Sequence, residues 1–343
     1  MKQKNRAATL LKLCVIALCL YLLSRKLDLH EVRQSLVLAH PLYLLPAIAM
    51  ILLEPVVMAL KWDLLLRQKH IHAGLFNLVR LIFTTNFLSP LLFTAVGADA
   101  ARLALISREK HSLTHAGASL LADRLLGLGA IALLSLIGLG VIGRDHLPER
   151  IDLKLILAAC ALTLAAIATF MSPLPAHIIR LLEHLFGLSP VEGLPPTPAA
   201  ASPARRLIQR GIALVTNMHA SLRAYLAMPR TLALVFSLNV FVQILRTLQI
   251  HCLFRTLGAP VSLSQELVFV PIIILLSLLP ISYFGLGIKE GAFVYFFSSL
   301  GIPAPLAVSV SILTYPLILI GFLPGAIFLL FPTPPHTTTK SDL

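Results

Sequence analysis

Asn86-Phe-Leu-Ser-Pro90, a short apolar run, then Gly97-Ala-Asp99-Ala-Ala-Arg102: this stretch interrupts a hydrophobic segment with proline and glycine and follows the break with one acid and one base. Leu279-Pro280-Ile-Ser-Tyr-Phe-Gly285-Leu-Gly287-Ile-Lys289-Glu290-Gly291 repeats the pattern in the other half of the chain. Hydrocarbon offers nothing to the N–H and C=O groups that a broken helix frees, so such breaks persist only where protein or a wet cavity surrounds them. Ionisable side chains at that depth are costly and are functional candidates by default. One such element in each half is a pattern of transporters built from internal repeats.

Composition places the rest of the chain in the same class. Of 343 residues, 57% are hydrophobic and 13% charged, with a mean hydropathy of +0.88. A soluble domain carries about 25% charged residues. Apolar runs of the roughly 20 residues needed to cross a bilayer recur from end to end. They fall at about 7–23, 41–60, 75–97, 114–143, 153–171, 229–254, 266–300 and 303–331. The expected fold is an all-α polytopic membrane protein of about eight membrane elements, two of them broken or re-entrant, arranged as an inverted repeat. Further breaks are expected at Glu54-Pro55 and Tyr315-Pro316.

The chain divides into an N-terminal membrane half (1–171, with the re-entrant element at 75–97) and a connecting segment (172–229). A C-terminal membrane half (230–332, broken at 266–300) and a disordered tail (333–343) follow. The connecting segment opens as a Pro/Ala-rich linker and continues, over 205–228, as an amphipathic surface helix. It is too short to hold a separate catalytic domain. The first apolar run follows a basic N-terminus but has no small-x-small cleavage site, so it reads as an uncleaved span.

The net charge of +13 suggests nucleic acid only until its distribution is read. Basic residues gather at the ends of apolar runs and in loops, where they set orientation and meet anionic headgroups, with no nucleic-acid-binding motif among them. If 75–97 is re-entrant, the N-terminus, 61–74, 98–112 and 172–230 share one side and hold 15 Lys and Arg, against 7 on the other. The positive-inside rule then puts the N-terminus in the cytoplasm.

The polar residues in apolar surroundings are the candidate site. Asp99 and Arg102, three apart, share a helical face. They read either as a structural ion pair or as a phosphate-binding Arg held by its acid, since the planar guanidinium suits phosphate. Lys289 and Glu290 follow two glycines that allow close backbone approach. They read as a headgroup site at a helix start, or as a lock in which Lys289 pairs with an acid from the other half. Adjacent Asp123 and Arg124 point apart and need separate partners, as braces or as ligand contacts. These six form the candidate lipid-headgroup set. Asn239, Gln243 and Arg246, at i, i+4 and i+7, make a polar stripe that lipid would not tolerate and that faces the interior. Glu54 beside Pro55 reads as a cap for backbone freed at a proline kink, or as a proton-coupling carboxylate.

His70-x-His72 and His111-x3-His115 have usable metal spacing, but no acid or thiolate accompanies them, and no metal or cofactor is expected. The four cysteines (14, 19, 160 and 252) form no CxxC pair. No nucleotide-binding, GxSxG or other catalytic motif occurs, and the chain is not expected to be an enzyme.

Four motifs in order carry a family likeness: Lys61-Trp62-Asp-Leu-Leu-Leu66, the 86–102 stretch, Asp123-Arg124-Leu-Leu-Gly127-Leu128 and the 279–291 stretch. Together they resemble the flippase-like, lysylphosphatidylglycerol synthase transmembrane-region family over nearly the whole chain. The resemblance implies a bacterial or archaeal integral membrane protein. Relatives in the multiple peptide resistance factor are fused to a cytoplasmic aminoacyl-transferase and linked to flipping lysyl-phosphatidylglycerol. Others are associated with hopanoid transport or glycosyl-lipid pathways. This chain has Gly97-Ala98 where Gly-Gly or Gly-Glu is common and Lys289 where Arg is common, and it shows no synthase domain, so lipid aminoacylation is not expected. Lys at 289 removes the bidentate geometry of Arg.

The resulting expectation is a flippase-like lipid transporter of the bacterial inner membrane, moving or binding an anionic or modified lipid through a polar site between the two halves. Its partners would be membrane lipids (phospholipid, hopanoid or polyprenyl-linked lipid) and a lipid synthase, with no nucleic acid. Two readings compete with it: a membrane-embedded subunit of a lipid- or glycolipid-modifying enzyme, and a non-transporting scaffold that recruits a synthase.

Overall fold

Leucine, isoleucine, valine and alanine fill the long apolar runs, and in the computed structural model those among the described residues are helices. The structure describes residues 40–89, 95–107, 112–142, 153–185, 203–278 and 285–330, and all regular structure among them is helical. A single 3-10 turn, Pro41–Tyr43, leads into α1 (Leu44–Arg67). Then follow α2 (Leu75–Leu88), α3 (Ala95–Ser107), α4 (Leu113–Ile142), α5 (Leu153–Met171) and α6 (Leu174–Leu185). After them come α7 (Pro203–Arg223), α8 (Pro229–Thr256), α9 (Leu263–Ser277), α10 (Ile288–Ser298) and α11 (Ala304–Leu330). Four helices are long and apolar enough to cross a membrane: α1 with its leading turn (27 residues), α4 (30), α8 (28) and α11 (26 of its residues). Shorter apolar helices lie in α2, α5 and α9. The chain is a multi-pass helical membrane protein.

Several sequence expectations change. The broken element expected at 75–97 is present as α2 and the start of α3, but α3 runs on through residues 98–107, expected as loop. Two of the 15 basic residues assigned to one side, Lys61 and Arg102, are buried in the bundle, though the charge asymmetry survives their removal. The element at 266–300 is likewise two helices, α9 and α10. No break occurs at Pro55 or Pro316. α1 continues through the first, and α11 through Pro316 and Pro324. A proline inside a helix removes one backbone hydrogen bond, a loss that neighbouring helices make tolerable in a membrane bundle. The expected span at 7–23, the linker up to residue 202 and the tail lie outside the described residues.

The amphipathic helix of the connecting segment is present as α7, but it does more than lie on a surface. Its end and the 3-10 turn that follows, Ala224–Ala227, pack on the bundle, with Leu222 and Tyr225 buried and the Tyr225 hydroxyl donating to the Leu65 carbonyl at 2.9 Å. His219 Nε2 lies 3.1 Å from the carbonyls of Phe170 and Ser172 at the end of α5.

The two halves interlock. α1 packs along α8, α4 along α9 and α2 along α11, so each half's short helix lies against the other half's last long one. Phe254, Phe269, Phe293, Phe296 and Phe297 knit α8, α9 and α10 into an aromatic core, with Phe254 and Phe297 centroids 4.5 Å apart. Where α4 crosses α9, Gly138 lets the backbones meet: a Cβ there would stand 2.8 Å from the Val268 nitrogen and 2.9 Å from the Leu267 carbonyl carbon. With lipid tails as apolar as side chains, such close packing is a main source of helix association.

Gly138→Leu is therefore expected to destabilise the α4–α9 contact by about 1–3 kcal/mol. Gly140→Leu, two residues on with open space around the same position, is expected to leave stability unchanged. Thermal unfolding of the two variants in detergent compares them directly.

Candidate functional site

A charge buried in this bundle needs its hydrogen-bond partners inside the protein, and four clusters provide them for the candidate residues. In the first, Lys61 of α1 lies 2.9 Å from Asp123 of α4 and donates to Asn239 Oδ1 of α8 at 2.7 Å. Asn239 donates in turn to Asp123 at 3.1 Å. All three are buried, and their charges cancel.

The second cluster spans the break between α2 and α3. Arg102 donates Nε to the Thr85 hydroxyl (3.1 Å), NH2 to Asn86 Oδ1 (2.6 Å) and NH1 to Asp99 Oδ1 (2.9 Å). Asp99 also receives Arg124 of α4 through Nε (2.9 Å) and NH2 (2.8 Å). One carboxylate thus serves two guanidinium groups. Arg102 is 4% exposed, whereas the Arg124 side chain is 40% exposed.

In the third, Arg246 of α8 donates to Glu54 Oε1 of α1 through Nε at 2.9 Å and again through NH2. Glu54 is an ion-pair partner, and its hydrogen bonds do not go to backbone freed at Pro55. Gln243, one turn before Arg246, is buried, and its Oε1 has no hydrogen-bond partner among the described residues.

The fourth lies at the start of α10. Gly287 has φ 82°, a left-handed conformation that glycine adopts freely. Its N–H donates to Glu290 Oε2 at 2.5 Å, so the carboxylate caps its own helix. Glu290 Oε1 accepts from Tyr315 (2.8 Å) and Ser311 (3.2 Å) of α11. Both Glu290 oxygens are thus turned to these three donors. Lys289 donates to the Thr314 hydroxyl and lies 4.7 Å from the centre of the Tyr315 ring. No carboxylate comes within ion-pair distance of Lys289 among the described residues. The alternative in which it pairs with an acid of the other half therefore fails among those residues.

The last three of these clusters meet at one cavity of about 370 Å³. Arg102, Arg124, Arg246 and Lys289 line it, with Glu54 the one carboxylate in the wall among the described residues. Asn86, Ser89, Gln249, Ser277, Thr314 and Tyr315 add neutral polar groups. The remainder of the wall is mainly apolar, from Ile51 and Met58 through Ile273 and Ile274 to Ile318 and Phe322. α1 to α4 and α8 to α11 all contribute, so the cavity lies between the two halves. Of the sequence candidates, Asp123 and Asn239 belong to the buried triad away from the cavity wall, while Asp99 and Glu290 stand behind the cations that line it.

Sequence reading missed several participants. Lys61 falls just past the apolar run at 41–60 and reads as the start of a loop, but α1 continues to Arg67 and carries it into the bundle. Thr85, Thr314 and Tyr315 carry no charge and give no signal in the sequence. His251 and the fully buried Glu266, paired at 2.8 Å, lie outside the cavity. No group of three metal-ligating side chains occurs among the described residues.

Removing one member of the Lys61–Asp123 pair leaves a buried charge without its partner, a loss of about 3–5 kcal/mol. Lys61→Met and Asp123→Leu are each expected to unfold at markedly lower temperature. The double variant should recover most of the loss, and a double-mutant cycle in detergent reads the coupling.

No curated protein matches the chain. The family described as the lysylphosphatidylglycerol synthase TM region matches residues 9–325, which takes in all four clusters and every residue lining the cavity, and the chain belongs to that family.

Proposed function

We propose that this protein is a flippase-like lipid transporter of the inner (plasma) membrane, with its N-terminus in the cytoplasm. The observation that carries the reading is the cavity itself: four cations and a mainly apolar wall, enclosed by helices of both halves. A lipid headgroup enters the polar part and meets Arg124, Arg246 and Lys289, while its acyl chains stay against the apolar wall and the surrounding bilayer. Arg102 and Asp99 hold the geometry. Because both halves build the wall, a change in how they pack would open the cavity to one side or the other, as in transporters that rock one repeat against the other.

In this reading the pairs α2–α3 and α9–α10 are re-entrant hairpins related by an inverted repeat. Their lengths support it. At 1.5 Å per residue the 14 residues of α2 reach about 21 Å and the 11 of α10 about 17 Å, short of the ~30 Å hydrocarbon core. The exchange of partners between the halves, α2 on α11 and α9 on α4, supports it too.

Transport is tested by reconstituting the protein in vesicles that carry a fluorescent phospholipid and following its arrival in the outer leaflet by chemical quenching. The wild type is expected to speed exchange over empty vesicles, and Lys289→Ala or Arg246→Ala to reduce the gain tenfold or more. Equal rates with and without protein would remove the proposal. Topology has its own test. In a background without the four native cysteines, single cysteines at exposed positions His70 and Ser112 flank α2–α3. A re-entrant pair requires an impermeant reagent to label both from the cytoplasmic side; labelling from opposite sides would show that the pair crosses.

A further inference from the structure

We infer that the cavity selects a lipid whose headgroup carries net negative charge and excludes the cationic, aminoacylated kind. The inference deepens the proposed function and rests on it. Charge balance carries it. Among the described residues, four cations line the cavity, and three carboxylates stand in it or directly behind it: Asp99, Glu54 and Glu290. Asp99 is held by Arg102 and Arg124, Glu54 by Arg246, and Glu290 by the Gly287 N–H, Ser311 and Tyr315. The count leaves one net positive charge: Asp99 divides its charge between two guanidinium groups, and Lys289, whose partners are a hydroxyl and an aromatic ring, has no carboxylate within ion-pair distance among the described residues. Residues 90–94 and 279–284, outside the described residues, contain no ionisable acid or base other than the phenol of Tyr283.

A lone ammonium between membrane helices is costly until an anion reaches it. A phosphodiester headgroup of net charge −1 cancels the excess. A headgroup that adds a lysyl ester to the same phosphate carries net +1 and would leave the site with two uncompensated charges, a like-charge clash that excludes the wrong ligand. Donors suited to phosphate are present: the Arg124 and Arg246 guanidinium groups each bind their carboxylate through Nε and NH2, and neither uses NH1 in those pairs. The apolar wall, from Ile273 and Ile274 to Ile318 and Phe322, calls for a phosphate that is anchored in lipid. Glu54 marks the competing possibility. Its Oε2 takes no part in the pair with Arg246, and it could receive the ammonium of an aminoacyl headgroup.

The full-length protein is purified from mixed vesicles of phosphatidylcholine with equal small fractions of phosphatidylglycerol (net −1), phosphatidylethanolamine (net 0) and lysyl-phosphatidylglycerol (net +1). Retained lipid is then quantified by mass spectrometry. Phosphatidylglycerol is expected to be enriched at least tenfold over the lysyl form. Lys289→Gln should abolish that enrichment and Lys289→Arg should keep it, which separates lost charge from lost fold. Glu54→Gln should leave it or raise it. Equal or greater retention of the lysyl lipid, lost in Glu54→Gln, would overturn the inference while leaving lipid transport in place. Retention of bulk lipid without selection would remove both. Glycerol 3-phosphate is added as a soluble competitor; displacement of phosphatidylglycerol at equal concentration would show that the site takes free phosphate esters, and would overturn the lipid-anchored assignment.

Discussion

Arg102 closes the gap between α2 and α3, and the candidate site is arranged around it. A guanidinium buried within the bundle is cut off from water, so protein must supply the acceptors. Thr85 and Asn86 come from the end of α2, and Asp99 from the first turns of α3. The broken helix is thereby tied across its own break. Because Asp99 has oxygen to share, the same bond network reaches Arg124 and fixes α4 beside α3. The Asn86…Asp99…Arg102 pattern in the sequence is the trace of this one network.

The second half solves the same problem with neutral groups. Glu290 turns back to the Gly287 N–H and takes hydroxyls from Ser311 and Tyr315, so the break before α10 is braced without a second arginine. The consequence is an imbalance between the two broken elements. Beside the first, two guanidinium groups share the one carboxylate of Asp99; beside the second, the lysine has no carboxylate within ion-pair distance among the described residues. The similarity of the two sequence motifs conceals this difference, because both read as one acid and one base after a glycine.

How much of the site is legible in the sequence depends on how far apart the partners lie. Asp99 and Arg102, at i and i+3, are legible as a pair because helical geometry alone brings them together. Asp123 and Arg124 are legible as residues needing partners elsewhere, since neighbours on a helix diverge. Which partners is not legible: Lys61 is 62 residues from Asp123, and Glu54 is 192 residues from Arg246. Only the packing of α1 against α8 and α4 brings these together. The same limit explains the error at Glu54-Pro55. A proline beside an acid reads locally as a kink with its cap, but the helix runs on and the carboxylate answers a charge on another helix. The membrane class and the two broken elements, by contrast, follow from hydropathy and from Pro and Gly placement, which are local properties that the sequence displays directly.

Lys289 sits in the first turn of α10, where the free N–H groups of a helix already favour negative charge. A cation there works against the helix unless something offsets it. Glu290 caps the end and eases part of the conflict, but it does so from the side of Gly287, Ser311 and Tyr315, while Lys289 lines the cavity. An arginine at 289 would bring a fork of donors able to reach neighbouring acceptors and satisfy itself. Lysine brings a compact charge on a flexible stem, with fewer ways to do so. Lysine at this position therefore keeps a charge in the cavity that no carboxylate meets within ion-pair distance among the described residues. In a bilayer, the abundant source of a countercharge is the phosphate of a lipid.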